Sequence, residues 1–172
     1  MWVFGYGSLM WDGWERPLQG VRVDRASLPG HRRSFNKGSV RNWGSDDAAG
    51  PTLGLESDAA GACVGTAFEF PDERAEEVKA LLKKREGGSF CFPELHVRLP
   101  DGRTVPALTP VNYRTKRSYI GRKPLVARAA MARSATGDSG ACADYVRNIH
   151  RQPRTLGIED EAVEEFVRAM DT

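Results

Sequence analysis

Hydrophobic and polar residues follow distinct periodic patterns along the chain, and each pattern predicts an element. The aromatic and β-branched run 2–6, closed by Gly7 and Ser8, is typical of a strand that begins almost at the first residue. Alternation of apolar and polar residues over 64–70 predicts a second strand, buried on one face. Residues 12–61 are rich in Gly, Pro, Asp and Asn, so we expect short strands joined by long loops there.

A helix is predicted directly after the second strand. Its apolar residues recur every three or four positions, acidic residues crowd its first turns, and basic residues crowd its last turn. Two glycines, Gly87 and Gly88, are expected to end it. An Asp-Gly pair at 101–102 then lies between the apolar runs 90–99 and 104–111, a pattern that predicts a β-hairpin.

Three further helices are predicted in the last third of the chain. The first begins at Pro124 and ends at Gly137. Ser139 is expected to cap the second, which ends before Pro153, and the third is an amphipathic helix over 158–170. Because strands come first and helices mostly last, the order of elements predicts an α+β fold.

Length and composition are those of one globular domain, expected to span residues 1–172. Of these residues 40% are hydrophobic and 28% are charged, which suits a packed core. Three widely spaced cysteines without a Cys-x-x-Cys pair predict neither a disulfide framework nor a zinc site, and they favour a reducing compartment. No run approaches the roughly 20 apolar residues of a membrane helix, so we expect a cytoplasmic protein without a membrane partner.

Charge is nearly balanced overall but clustered locally. The net charge of +2 gives no general attraction to nucleic acid, and no nucleic-acid partner is expected. Residues 102–137 nevertheless contain eight basic residues and no acidic one, whereas acidic residues dominate 159–171. Two interpretations stay open for these stretches: solvated faces that partly offset each other, or a surface for an anionic ligand.

The first candidate for chemistry is the segment that follows the first strand. It consists of Gly5, Tyr6, Gly7, Ser8 and Leu9. Glycines let a ligand approach the main chain, and successive amides in a tight turn can hold a carboxylate or an oxyanion. A dinucleotide-binding loop is excluded, because the third glycine of that motif would fall at Met10. The alternative is an ordinary glycine-rich turn.

Glu86 is the second candidate, because it ends the predicted helix where a basic residue is expected. The negative end of the helix dipole disfavours the charged form of a carboxyl group there, which strengthens that group as a proton acceptor. Residues that break a local rule in this way are enriched at functional sites. The alternative is a surface carboxylate paired with Lys83 or Arg85. Glu77, nine residues earlier, is interpreted as a partner of the positive helix end.

Other candidate groups have weaker patterns. His31, His96 and His150 have no metal-ligand spacing, and we expect structural or surface roles for them. Ser8 lacks the Gly-x-Ser-x-Gly context of a serine hydrolase. The basic and aromatic residues of 31–43 suit either a loop near an anionic substrate or a surface for single-stranded nucleic acid.

Taken together, the motifs resemble those of a known family. The segment Trp2–Trp11, which reads WVFGYGSLMW, is similar to the N-terminal motif of the ChaC-like γ-glutamylcyclotransferases. The segments Gly65–Phe68 and Lys84–Gly88 are similar to the family's strand and its Arg-Glu segment with trailing glycines. Tyr119–Gly121 and Tyr145 follow in the family's order. The resemblance spans almost the whole chain.

The resemblance implies a small mixed β-barrel with peripheral helices and an enzyme without cofactor or metal. Such enzymes cleave a small-molecule γ-glutamyl amide and release 5-oxoproline and the amine part, which is cysteinylglycine when the substrate is glutathione. It further implies Glu86 as the general base and Gly5–Leu9 as the segment that holds the substrate. Tyr145 is then either a hydrogen-bond donor in the same pocket or only a core aromatic residue. Oligomeric state is not implied.

One stretch departs from the family pattern. Where glutathione enzymes typically carry an aromatic residue, Gln-Gly-Ser and then Asp-His-Arg-Gly, this chain has the different sequence 35–44. We expect Arg41 in this stretch to pair with a carboxylate on the leaving group. Two alternatives remain: a cyclotransferase for another γ-glutamyl amine, and a non-catalytic module that binds γ-glutamyl or carboxylate ligands.

Overall fold

Nine strands and four α-helices make up the chain in a computed structural model that describes residues 1–172. The strands are β1 (Trp2–Gly5), β2 (Val21–Ser39), β3 (Gly50–Glu69), β4 (Phe90–Cys91), β5 (Glu94–Arg98), β6 (Thr104–Leu108), β7 (Val111–Asn112), β8 (Thr136–Gly137) and β9 (Gly140–Ala141). The helices are α1 (Ala75–Glu86), α2 (Leu125–Ser134), α3 (Cys142–Arg154) and α4 (Glu161–Asp171). None of these helices has the length and apolar character needed to cross a membrane.

Five strands close into a barrel in the order β1-β3-β2-β5-β6. β1 is antiparallel to β3, with Trp2 opposite Glu69, and parallel to β6, with Trp2 beside Ala107. Because both orientations occur, the barrel is mixed. The predicted α+β class and the small mixed barrel with helices are therefore confirmed.

The chain divides into two compact units. The first comprises Met1–Arg32 and Ser57–Tyr113, and the second comprises Arg33–Glu56 and Arg114–Thr172. β2 and β3 each contribute one part to the first unit and one part to the second.

The core of the first unit is an aromatic and aliphatic cluster to which α1, β1 and β3 all contribute. Trp14 packs edge-on against Phe68, with ring centroids 5.4 Å apart. The cluster is completed by residues of β1, of the segment between β1 and β2 and of α1, and by the residue after β3: Val3, Leu9, Leu18, Phe70, Val78 and Leu82. Burial of these large side chains holds α1 against the residues that follow β1.

In the second unit, α2, α3 and α4 pack against one another. Phe35 of β2 stacks on Phe166 of α4, with ring centroids 4.2 Å apart. Arg33, also on β2, is fully buried and donates to the Asp160 carboxylate at 2.8 Å. The same carboxylate accepts the N–H of Val163 at 3.1 Å and so caps the first turn of α4.

The prediction for residues 12–61 is wrong. In place of short strands and long loops, the structure has β2 and β3, which are 19 and 20 residues long. Gly30 and Arg25 have positive φ angles of 73° and 60°, so β2 is irregular where its sequence resembles a turn.

The helix ends in the second unit also differ from the predictions. Ser139 does not cap α3, which begins at Cys142, and α3 runs through Pro153 to Arg154. Pro153 has no N–H for the carbonyl four residues earlier, so α3 loses one hydrogen bond in its last turn and ends one residue later. Gly137 lies in the β8–β9 hairpin rather than at the end of α2. The hairpin around 101–102 is confirmed, with Val97 opposite Val105.

Candidate active site

The glycine-rich segment after β1 forms one turn of 3₁₀ helix over Ser8–Met10. Its shape is fixed at three points: the Met10 N–H donates to the Gly7 carbonyl at 2.9 Å, the Trp14 indole N–H to the Leu9 carbonyl at 3.1 Å, and the Tyr6 hydroxyl to the Pro110 carbonyl at 2.8 Å. The N–H groups of Ser8 and Leu9 belong to a first turn, in which the helix itself provides no acceptor. The segment therefore has the geometry of a rigid main-chain cradle.

Two glycines allow the chain to approach itself closely at this cradle. A Cβ atom on Gly5 would lie 2.8 Å from the Leu9 Cβ, and a Cβ atom on Gly65 would lie 2.3 Å from the Gly5 carbonyl oxygen. Both distances are shorter than van der Waals contact. Packing therefore requires glycine at positions 5 and 65. Because Gly65 belongs to β3, this strand supports the cradle by direct contact with Gly5.

We expect Gly65→Ala to displace the cradle and to lower kcat/KM for the substrate held there by about tenfold or more, because small misplacements of a site can cost up to about 100-fold. The forced contact should also lower the free energy of unfolding by about 1–3 kcal/mol. Steady-state kinetics and urea unfolding of the same preparation measure both effects. A variant with parental kinetics would show that β3 does not support the cradle.

Glu86 is the last residue of α1, as predicted. Gly87 follows with a φ of 70°, a left-handed conformation that glycine adopts without strain, and its N–H donates to the Lys83 carbonyl. The Glu86 side chain is partly buried. Glycine at 87 therefore ends the helix at the carboxylate and turns the chain away from it.

The structure brings α1 and the cradle together within the first unit. Leu82 lies one turn before Glu86, on the same face of α1, and packs in the core cluster that contains Leu9. Arg85 forms an ion pair with Asp12, three residues after Leu9. The C-terminal end of α1 is thus held beside Gly5–Leu9 by an apolar contact and an ionic contact.

Glu77 has a structural role at the other end of α1. Both of its carboxylate oxygens accept hydrogen bonds from the Arg74 guanidinium at 2.9 Å, and its side chain is exposed. This agrees with its interpretation as a partner of the positive helix end. Of the two carboxylates considered on this helix, Glu86 is the one at the end that Leu82 and Arg85 connect to the residues around Leu9.

Tyr145 and Arg41, the other two predicted site residues, belong to the second unit. The Tyr145 hydroxyl accepts the N–H of Leu53 at 3.1 Å. Its ring lies against Trp43, with centroids 5.0 Å apart, and meets Phe35 edge-on at 6.5 Å. Since Trp43 is two residues after Arg41, the stretch 35–44 packs directly on Tyr145.

Arg41 itself is exposed. Its guanidinium forms an ion pair with Asp138 at 3.4 Å, and the side chain of Arg41 is 86% exposed. Main-chain bonds hold the backbone beside it, because the Asp138 N–H donates to the Arg41 carbonyl and the Ser139 N–H to the Asn42 carbonyl, both at 2.8 Å. The backbone of this loop is therefore fixed by the β8–β9 turn while the guanidinium faces solvent.

Glu56, near the middle of β3, is a polar centre that the sequence did not reveal. Its Oε1 accepts from the Asn36 amide and from the Tyr119 hydroxyl, both at 2.7 Å, and its side chain is 14% exposed. Burial, followed by the bond to Glu56, raises the pKa of the Tyr119 hydroxyl above its ordinary value. The one sequence feature that marks it is a glutamate placed directly after the apolar run 51–55.

Thiol and metal chemistry have little support among the side chains. No group of three or more His, Cys, Asp or Glu residues is placed to hold a metal ion. All three cysteines are free thiols, and burial raises the pKa of Cys142 to about 12, which makes its thiol a poor nucleophile near neutral pH.

The fold matches that of an enzyme class. A solved structure of a γ-glutamylcyclotransferase specific to glutathione, from yeast, superposes with a TM-score of 0.84 at 17% sequence identity, over 99% of this chain and 95% of that one. At this identity the likeness establishes a shared fold. The barrel with its glycine-rich turn is thus the γ-glutamylcyclotransferase architecture.

The whole chain, residues 1–172, matches the family described as ChaC-like protein, and it belongs to that family. A γ-glutamylcyclotransferase 2-3 of Arabidopsis thaliana is 31% identical over 95% of this chain and 84% of its own length. A glutathione-specific γ-glutamylcyclotransferase of Escherichia coli is 28% identical over 97% of this chain and 71% of its own. The resemblance inferred from the motifs, and the enzyme class it implies, are confirmed.

Proposed function

We propose that this chain cleaves the γ-glutamyl amide of glutathione to 5-oxoproline and cysteinylglycine, with Glu86 as the general base. The observation that carries the proposal is the position of Glu86. In a chain of the ChaC-like family, the carboxylate ends a helix whose apolar face is packed against the cradle Gly5–Leu9.

The reaction is an intramolecular aminolysis. The α-amino group of the γ-glutamyl unit attacks its own γ-carbonyl carbon, a five-membered lactam closes, and the amide C–N bond breaks to expel the amine. Attacking and attacked atoms are already joined in one molecule, so the entropy cost of bringing two reactants together is absent. The protein must fold the substrate into the reactive conformer, remove a proton from the ammonium group and stabilise the developing oxyanion.

Each residue then has a defined task. The Glu86 carboxylate accepts a proton from the α-ammonium group and returns it to the leaving nitrogen, which also takes up the second proton that the attacking nitrogen loses as the lactam closes. The N–H groups of the cradle hold an anionic oxygen, either of the α-carboxylate or of the oxyanion. Tyr145 supplies a hydrogen bond to the substrate, and Arg41 pairs with the carboxylate of the leaving group.

A direct assay tests the proposed activity. The purified chain is incubated with glutathione and with several γ-glutamyl dipeptides, and 5-oxoproline is quantified by mass spectrometry. We expect stoichiometric 5-oxoproline and cysteinylglycine from glutathione. Turnover of the dipeptides but not of glutathione would show that the substrate is another γ-glutamyl amine. Binding of these compounds without any product would support the non-catalytic module.

The departure over 35–44 makes Arg41 the candidate for selectivity. An exposed ion pair such as Arg41–Asp138 contributes only about 1 kcal/mol or less, so a substrate carboxylate can replace Asp138 at little cost. A charge-assisted hydrogen bond to the glycyl carboxylate of glutathione would contribute about 1.5–3 kcal/mol.

We expect Arg41→Ala to reduce the preference for glutathione over a γ-glutamyl alkylamide, which lacks that carboxylate, by about tenfold or more in relative kcat/KM. Asp138→Ala is the matched control, since it removes the partner of Arg41 and leaves the guanidinium in place. The control should keep or increase the preference. Equal losses in both variants, or an unchanged ratio in Arg41→Ala, would make Arg41 a surface residue without a role in selectivity.

The remaining expectations follow from this proposal. Both units together form one functional domain over 1–172, since the family match spans the whole chain. The substrate is a small molecule, without a nucleic-acid or membrane partner. We assign the protein to the cytoplasm, where its three free thiols would stay reduced.

A further inference from the structure

A pocket of about 340 Å³ opens between β2 and β5 in the first unit. This volume lies near the lower end of the range of about 300–1,000 Å³ that is usual for small-molecule sites. Its polar rim is formed by His31, His96, Arg98 and Thr104, and its apolar wall by Leu28 and Leu95. None of the residues discussed as the candidate active site lines it.

The pocket exists because β2 and β5 share only one register pair, Ser27 opposite Arg98. By contrast, β5 and β6 share five register pairs. Continuing the antiparallel register would place Pro29 opposite His96, but Pro29 has no N–H to donate, and Gly30 follows with a φ of 73°. The strands therefore separate beyond Ser27, and the gap between them is the pocket.

The chemistry of the lining favours an anion with an apolar part. Arg98 supplies a permanent positive charge, and no acidic side chain lines the pocket. The Nδ1–H of His31 donates to the Pro29 carbonyl at 3.0 Å, so the donor of that imidazole is already used within β2, and His96 is the rim imidazole that can donate to an anion. Leu28 is 1% exposed and Leu95 is partly buried, so they provide a dry surface.

Strand register separates this pocket from the cradle. β1 and β6 are parallel, with Val3 beside Leu108, so Gly5 lies beyond the C-terminal end of β6. In this register Gly5 is level with residue 110. Thr104, the first residue of β6, lies six residues before that position. At about 3.3 Å per residue, the rim of the pocket and the cradle are roughly 20 Å apart along the barrel.

We propose that this pocket is a second ligand site, for a small monocarboxylate with a short apolar body. The carboxylate pairs with Arg98 and accepts hydrogen bonds from the Thr104 hydroxyl and the His96 imidazole, while the apolar body lies against Leu28 and Leu95. A single permanent cation beside an apolar wall suits one negative charge better than a phosphate dianion. This inference does not depend on the proposed cyclotransferase activity.

Titration of the ¹⁵N-labelled full chain with hexanoate, observed by amide shifts, tests the proposal. We expect saturable shifts at Leu95, His96 and Thr104 and none at Gly7. Arg98→Gln should raise the dissociation constant for hexanoate about tenfold or more. Arg103→Gln is the matched control, because Arg103 lies on the same hairpin, is exposed and paired with Asp101, and does not line the pocket.

Inorganic phosphate and hexylammonium are the comparison probes, and each is expected to bind at least about tenfold more weakly than hexanoate. Tighter binding of phosphate would overturn the carboxylate assignment, and equal binding of hexylammonium would reduce the pocket to an apolar surface. The proposal also fails if shifts are confined to Gly5–Leu9, if none saturate, or if Arg103→Gln weakens binding as much as Arg98→Gln. Thermal unfolding of each variant shows that the fold is retained.

Discussion

Replacing Glu86 with Gln is expected to lower turnover of γ-glutamyl substrate by about 100-fold or more, which is the usual contribution of a positioned general base. The amide is close in size to the carboxylate but cannot accept the ammonium proton. Because Glu86 ends α1 at the surface of the first unit, the fold should be unaffected. Steady-state 5-oxoproline formation and far-UV circular dichroism measure the two outcomes.

Glu76→Gln is the matched control for that experiment. Glu76 lies on the same helix, its side chain is 88% exposed, and its carboxylate pairs with Lys79 at the surface at 2.9 Å. This variant removes one negative charge from α1 at a distance from the cradle, and its turnover should equal that of the parent. A folded Glu86→Gln variant with near-parental turnover would contradict the assignment of the base.

The second large effect concerns stability. Asp160→Ala removes the carboxylate that faces the fully buried Arg33 guanidinium, and it also removes the N-cap of α4. Breaking a buried pair by deleting one partner typically costs about 3–5 kcal/mol. Loss of an N-cap adds about 1 kcal/mol. Urea unfolding should therefore show a large drop in the free energy of unfolding.

Asp160→Asn separates the two contributions, since an asparagine oxygen still caps a helix but carries no charge. Compared with Asp160→Ala, this variant should recover only the part of the free energy of unfolding that the N-cap contributes. Asp171→Ala provides the surface comparison on the same helix, because Asp171 pairs with Arg147 where both side chains are more than half exposed. If Asp160→Ala unfolded like Asp171→Ala, the buried pair would contribute nothing to stability.

Elements specified by neighbouring residues could be predicted from the sequence. The end of α1 depends on basic residues in its last turn and on Gly87, and the 101–102 hairpin depends on its Asp-Gly pair. These interactions lie within a few residues of one another, so the local pattern contains them. The same locality made Glu86 visible as an exception at the end of a helix.

Elements that depend on distant partners could not be predicted in this way. β2 and β3 are long because the barrel supplies neighbours along their length, although their sequences contain turn-forming residues. Glu56 owes its burial to Asn36 and Tyr119, which are 20 and 63 residues away in the chain. The Arg33–Asp160 pair spans 127 residues. A periodic pattern within a short stretch of sequence cannot indicate pairs of residues that are so far apart in the chain.

The pairing of β1 has a consequence for biosynthesis. Residues 2–5 are translated before either of their partners, because the antiparallel partner ends at Glu69 and the parallel partner at Leu108. The Tyr6 hydroxyl further needs the Pro110 carbonyl. A nascent chain released before residue 110 therefore carries every residue of the cradle without its scaffold. Such contacts of high sequence separation form slowly, so β1 reaches its final position only after its later partners have been made.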